Sequence, residues 1–60
     1  MGIGDRIKQR RIELGMSQQE LATAMGYTSK STINKIELGK NDVSQSKVVK
    51  FSKVLNTTPS

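Results

Sequence analysis

The feature that most restricts this chain is its punctuation. Gly15, Gly26 and Gly39 each precede a serine by only a few residues (Ser17, Ser29 and Ser44), so that stop and start signals alternate along the chain. A serine hydroxyl can accept an amide at a helix N-terminus, and glycine takes the left-handed conformation that closes a helix. Between these marks, apolar residues recur at three- and four-residue steps, the period of a helix. Nothing reads as a strand. The fold class expected is therefore all-α, a bundle of four short helices.

The first helix is expected over residues 4–14, with Ile3, Ile7 and Leu14 on one stripe and Gly15 as its stop. Ile12 points away from that stripe and reads as partly exposed. The second helix, 18–25, opens with the Ser17 to Glu20 spacing of a capping box, and Met16 and Leu21 are spaced as a hydrophobic staple. Leu21, Ala22 and Met25 make its buried face, with Ala22 small enough to let another helix come close. Gly26 ends it sharply. The third, 30–38, is capped by Ser29, buries Ile33 and Ile36, and stops at Gly39. The fourth, 45–55, follows the cap Ser44 and a staple residue, Val43. It carries Val48, Phe51 and Leu55 as a stripe, with Lys47, Lys50 and Lys53 off it. The last residues read as a polar turn, in which Pro59 holds Thr58 extended.

Sixty residues make one domain with a small core. A chain of this length buries about 60% of its unfolded surface, which leaves it marginally stable. It has no cysteine and no histidine, so disulfides, thiolate metal ligation and the commonest general base are all excluded. Its five carboxylates form no pattern with a nucleophile or a metal ligand, so no catalytic residue, metal or cofactor is expected. No apolar run approaches the roughly 18 residues of a membrane span, and no signal-peptide pattern opens the chain. A cytoplasmic location is expected. Ten Lys and Arg against five Asp and Glu leave a net charge of +5, which favours a polyanionic partner, either nucleic acid or an anionic membrane surface.

With Ile33 and Ile36 turned inward, the third helix presents Ser31, Lys35 and Leu38 outward, with Lys30 and Asn34 on its flanks. Lysine can donate to guanine O6 and N7, asparagine can pair with adenine through two bonds, and serine serves either. The helix N-terminus favours a phosphate. The plain alternative is an ordinary solvated face. Gln18, in the first turn of the second helix, can reach a phosphate, brace the third helix, or merely be solvated. Lys40 and Asn41 follow the third helix in a loop placed to lie along a sugar-phosphate backbone. Arg6, Lys8, Arg10, Lys47, Lys50 and Lys53 add charge that mostly solvates the surface. Arg11 and Glu37 both border the inner side of their helices, and two opposite charges pressed toward one core are explained by each other. Such a buried pair fixes geometry more surely than it adds stability. Two short helices joined by a tight glycine turn are also the layout that delivers the second of them to the major groove of DNA.

At this point the residues resemble a known family. The run from Arg6 through Arg11, Leu14-Gly15-Met16-Ser17-Gln18-Gln19-Glu20-Leu21-Ala22, looks like the opening of the lambdoid phage repressor and Cro-type helix-turn-helix domain. Ile33-Asn34-Lys35-Ile36-Glu37-Leu38-Gly39-Lys40 is similar to its later part, and the resemblance extends from about Ile3 to Leu55. It implies that Gln18 contacts a phosphate and that Arg11 and Glu37 form an internal ion pair. It also implies that Thr28, Ser29, Lys30, Ser31 and Lys35 face bases or nearby phosphates, and that Asn41 and its neighbours meet the backbone. Between Gly26 and Ile33 the chain is one residue longer than the best-known phage examples. That leaves the base-reading roles of Thr28 and Ser29 open, and lets Tyr27 either contact phosphate or plug the turn. Family members usually continue into a further apolar helix that supports dimerisation. The resemblance therefore implies the N-terminal part of a longer repressor, truncated from a five-helix domain and acting in the nucleoid as a homodimer on a palindromic operator.

The partner expected is double-stranded DNA. The competing reading from a different class is a small interaction module, of antitoxin or sporulation-regulator type, whose basic face meets an acidic protein. A membrane-surface binder fits less well, because the lysines are spread among caps and turns instead of along one long amphipathic face.

Overall fold

Four helices follow one another in the computed structural model, which describes residues 2–56: α1 (Ile3–Glu13), α2 (Gln18–Met25), α3 (Lys30–Glu37) and α4 (Gln45–Val54). Among the described residues there is no strand. Three boundaries fall one residue short of the expected C-terminal ends, because Leu14, Leu38 and Leu55 are C-caps instead of helical residues. Thr58 and Pro59 lie outside the described residues.

The punctuation works through backbone bonds. After α2, the Tyr27 amide donates to the Ala22 carbonyl at 2.9 Å, and Gly26 between them has φ +82°. That bond needs the residue before its donor to be left-handed, which a side chain disfavours and glycine does not. The same bond recurs after α1, from the Met16 amide to the Arg11 carbonyl, and after α3, from Lys40 to Lys35. At the other ends, Ser17 Oγ accepts from the Glu20 amide, and Ser29 Oγ accepts from the Ser31 amide. Ser44 occupies the cap position of α4 without a side-chain bond to its first turn.

Ile7, Leu21, Ala22, Met25, Ile33, Ile36, Phe51 and Leu55 form one core, with Met16, Tyr27, Val43 and Val54 packed against its edge. The stripe on α1 differs from the one its apolar residues suggest. Ile3 and Leu14 are 39% and 42% exposed, and the buried line is Gly4 and Ile7, continued by the mostly buried Arg11. The cause is the approach of α3. A Cβ at Gly4 would collide with the backbone carbonyl oxygen of Ile36, so the two helices touch backbone to backbone there. The tilt that this contact allows turns Arg11 toward Glu37 and swings the flanking apolar residues out. Within the α4 stripe, Phe51 and Leu55 are buried and Val48 is half-buried.

Candidate nucleic-acid interface

The candidate face is the outer side of α3. Its inner side is anchored by Ile33 (0% exposed) and Ile36 (4%), which plant the helix on α2 and α1. Helical geometry then leaves Lys30, Ser31, Asn34, Lys35 and Leu38 exposed, and all five are. Thr28 and Ser29 before the helix are exposed as well, as are Lys40 and Asn41 after it. These residues form one continuous strip that follows a single helix and its two flanks. Among the described residues the ion pairs are Arg10–Glu13 and Arg11–Glu37. The charges of Lys30, Lys35 and Lys40 are therefore not offset by a carboxylate.

What aims α3 is a polar knot beneath this strip. Arg11 Nε donates to Glu37 Oε2 at 2.7 Å, and its Nη2 donates to Oε1 at 3.2 Å. This two-pronged contact fixes the guanidinium plane as well as its distance. Arg11 Nη1 also donates to the Met16 carbonyl at 2.8 Å, which ties the α1–α2 turn into the same knot. Gln18 completes it: Nε2 donates to Glu37 Oε1 at 3.2 Å and to Asn34 Oδ1 at 3.4 Å. Glu37 is 6% exposed, and its two carboxylate oxygens accept from Arg11 and from Gln18. No buried side-chain polar atom among the described residues lacks a partner. α1, α2 and α3 are thus held at one mutual angle by one carboxylate.

Of the alternatives open for Gln18, the brace is the arrangement present. For Tyr27 it is the plug: the ring is half-buried against the core, and Lys47 Nζ lies over it, 5.3 Å from the centroid. Such a cation over an aromatic face is attractive by about 0.5–1 kcal/mol at an exposed site. Ser29 and Ser31 are turned to each other, with their hydroxyl oxygens 2.7 Å apart, so each retains only part of its capacity for an outside partner.

Two structural roles escaped the sequence reading. Arg10, grouped there with the solvating charges, donates from Nε to the Leu55 carbonyl at 2.8 Å and from Nη2 to the Asn56 carbonyl at 3.2 Å. It clamps the end of α4 to α1, satisfying carbonyls that a helix C-terminus leaves free. The available signal was its place three residues after Ile7. Gly4, the second, carried no hydropathy signal at all.

Among the described residues no group of three His, Cys, Asp or Glu side chains is arranged to hold a metal ion. No helix of the described residues is long and apolar enough to cross a membrane.

Comparison with known proteins agrees with this geometry. A helix-turn-helix family profile matches residues 7–60. An uncharacterized HTH-type transcriptional regulator of Sinorhizobium medicae (strain WSM419) is 43% identical over 54 residues, which cover 90% of this chain and 38% of that protein. The uncharacterized HTH-type transcriptional regulator R00410 of Rhizobium meliloti (strain 1021) matches with the same identity and coverage. The chain thus spans well under half the length of these relatives. No solved structure shows significant similarity.

Proposed function

The chain belongs to the Cro/C1-type helix-turn-helix family, and from that premise we propose that it binds double-stranded DNA in a sequence-specific way and regulates transcription as a repressor. The observation that carries the reading is the exposed strip on α3, which joins uncompensated lysines to short polar side chains on a helix locked from behind. α3 enters the major groove. Lys35 and Ser31 face base edges, Lys30 and Thr28 stand at the groove's entrance, and Lys40 and Asn41 run along the phosphates. Rigidity supports this assignment: a reading helix has to present its side chains at fixed positions, and the Arg11–Glu37–Gln18 knot does that without using any exposed residue but Asn34. The relatives' names point to the same role in regulation.

The chain acts in the cytoplasm as the DNA-binding part of a longer regulator, and as a dimer on two half-sites about one helical turn apart. The test is the affinity for a generic duplex at two salt concentrations, for the unaltered chain and for Lys35→Ala. Binding should weaken steeply with salt, because each phosphate contact releases counterions. Lys35→Ala should weaken it further. Equal affinity of the two proteins for both generic and selected duplexes would remove Lys35 from the interface. Absence of binding at low salt would transfer the strip to a protein partner.

A further inference from the structure

We infer that Asn34 meets DNA as a hydrogen-bond donor only, because Gln18 holds its side-chain oxygen turned inward. The inference rests on the DNA-binding reading and deepens it by giving one exposed residue a defined polarity.

The orientation follows from the chemistry of the knot. Glu37, engaged by Arg11, presents a carboxylate oxygen to Gln18, and a carboxylate only accepts. Gln18 must therefore turn its NH2 group toward it. That NH2 also points at Asn34, and two NH2 groups facing each other would repel. Asn34 therefore turns Oδ1 toward Gln18, at 3.4 Å, and Nδ2 away. Both Gln18 amide protons are now committed, one to Glu37 and one to Asn34. The donor that faces outward at the α2–α3 junction is thus Asn34 Nδ2, on an exposed residue, and not the Gln18 amide.

This changes what Asn34 can recognise. Pairing with adenine through two bonds needs an oxygen to accept from N6 and an NH2 to donate to N7. With its oxygen held back, Asn34 lacks the first half. An outward NH2 fits acceptors alone: the O6 and N7 of guanine, the O4 of thymine, or a phosphate oxygen. The shared chemistry is an acceptor on DNA, and experiment separates its two sources.

The experiment selects binding sites from random duplexes with the unaltered chain, Asn34→Ala and Gln18→Ala, and measures each protein's affinity for the unaltered chain's selected site and for a generic duplex. Asn34 is exposed and lies on a helix, so Asn34→Ala is expected to fold, which circular dichroism checks. If Asn34 faces a base, its replacement relaxes one position of the selected site. That position holds guanine or thymine in the unaltered chain's selection, with a preference of about five- to tenfold, below that of a two-bond pair. If it faces a phosphate, Asn34→Ala weakens all duplexes by a similar factor and leaves the selected sequence unchanged. Gln18→Ala, which frees the Asn34 oxygen, should in the first case shift that position toward adenine.

Adenine at the Asn34-dependent position of the unaltered chain overturns the inference. So does an Asn34→Ala protein that matches the unaltered chain in both affinity and selected sequence, while the DNA-binding reading stands. Failure of the unaltered chain to bind any duplex overturns both.

Discussion

At the start of α2, Ser17 Oγ accepts the Glu20 amide at 3.0 Å, and Glu20 Oε1 in turn accepts the Ser17 amide at 2.9 Å. At the start of α4, Ser44 makes no such bond, and its hydroxyl meets only that of Ser46 at 3.3 Å. Both helices open with the same residue type in the same extended conformation. The difference lies in what each helix must do. α2 supports α3 through Gln18 in its first turn, so its N-terminus has to be held at a set rotation. α4 only covers the core, through Phe51 and Leu55, and is clamped at its far end by Arg10. Directional polar bonds gather where orientation matters, and apolar packing suffices where coverage does.

The sharpest way to break this contrast is Glu37→Ala. It leaves the Arg11 guanidinium, in a side chain only 12% exposed, without its carboxylate, and it also strands one Gln18 amide proton. A loss of about 3–5 kcal/mol is expected, which is most of the stability of a domain this small. Urea or thermal unfolding followed by circular dichroism reads it. A melting temperature within a degree of the unaltered chain would mean that the knot does not hold the helices.

Gly4→Ala comes next, at about 1–3 kcal/mol, because the methyl group must push α1 off the Ile36 carbonyl. In an ordinary exposed helix the same exchange stabilises, so the sign alone decides the matter. A more stable Gly4→Ala protein would show that α1 does not approach α3 as closely as described.

The two serine caps give the smallest effects and the most direct comparison. Ser17→Ala should cost about 1 kcal/mol. Ser44→Ala should stay within about 0.5 kcal/mol of the unaltered chain, as surface substitutions without a specific partner do. Equal losses, measured side by side in urea, would erase the distinction between the α2 and α4 termini.

Much of this molecule is legible in its residues. The four helices fall where serine and glycine mark them, since both signals act on backbone within a turn of themselves. The core follows for the same local reason: Leu21, Ala22 and Met25, Ile33 and Ile36, and Phe51 and Leu55 lie at helical spacing and are buried. The facing of Arg11 and Glu37 can be inferred too, because a charge on an inner stripe needs a partner. α1 is where such reading weakens. Its apolar residues Ile3, Ile7 and Leu14 mark one side, yet the contact side runs through Gly4, Ile7 and Arg11, and glycine has no side chain to advertise a close approach. Arg10 is obscure for a related reason. Its partners are the carbonyls of Leu55 and Asn56, and a backbone carbonyl is the same in every residue.

By itself, then, the order of residues determined the all-α class, the helix positions, most of the core and the strip offered to DNA. All of these rest on interactions within a turn or two of chain, or on the side a residue takes on its own helix. Only the tertiary structure decided how α1 is rotated against α3, that Arg10 closes the end of α4, that Tyr27 plugs the turn under Lys47, and that Gln18 faces Glu37 and Asn34 at once. Each of those joins groups from separate elements, and their distances depend on helix angles that no local pattern encodes.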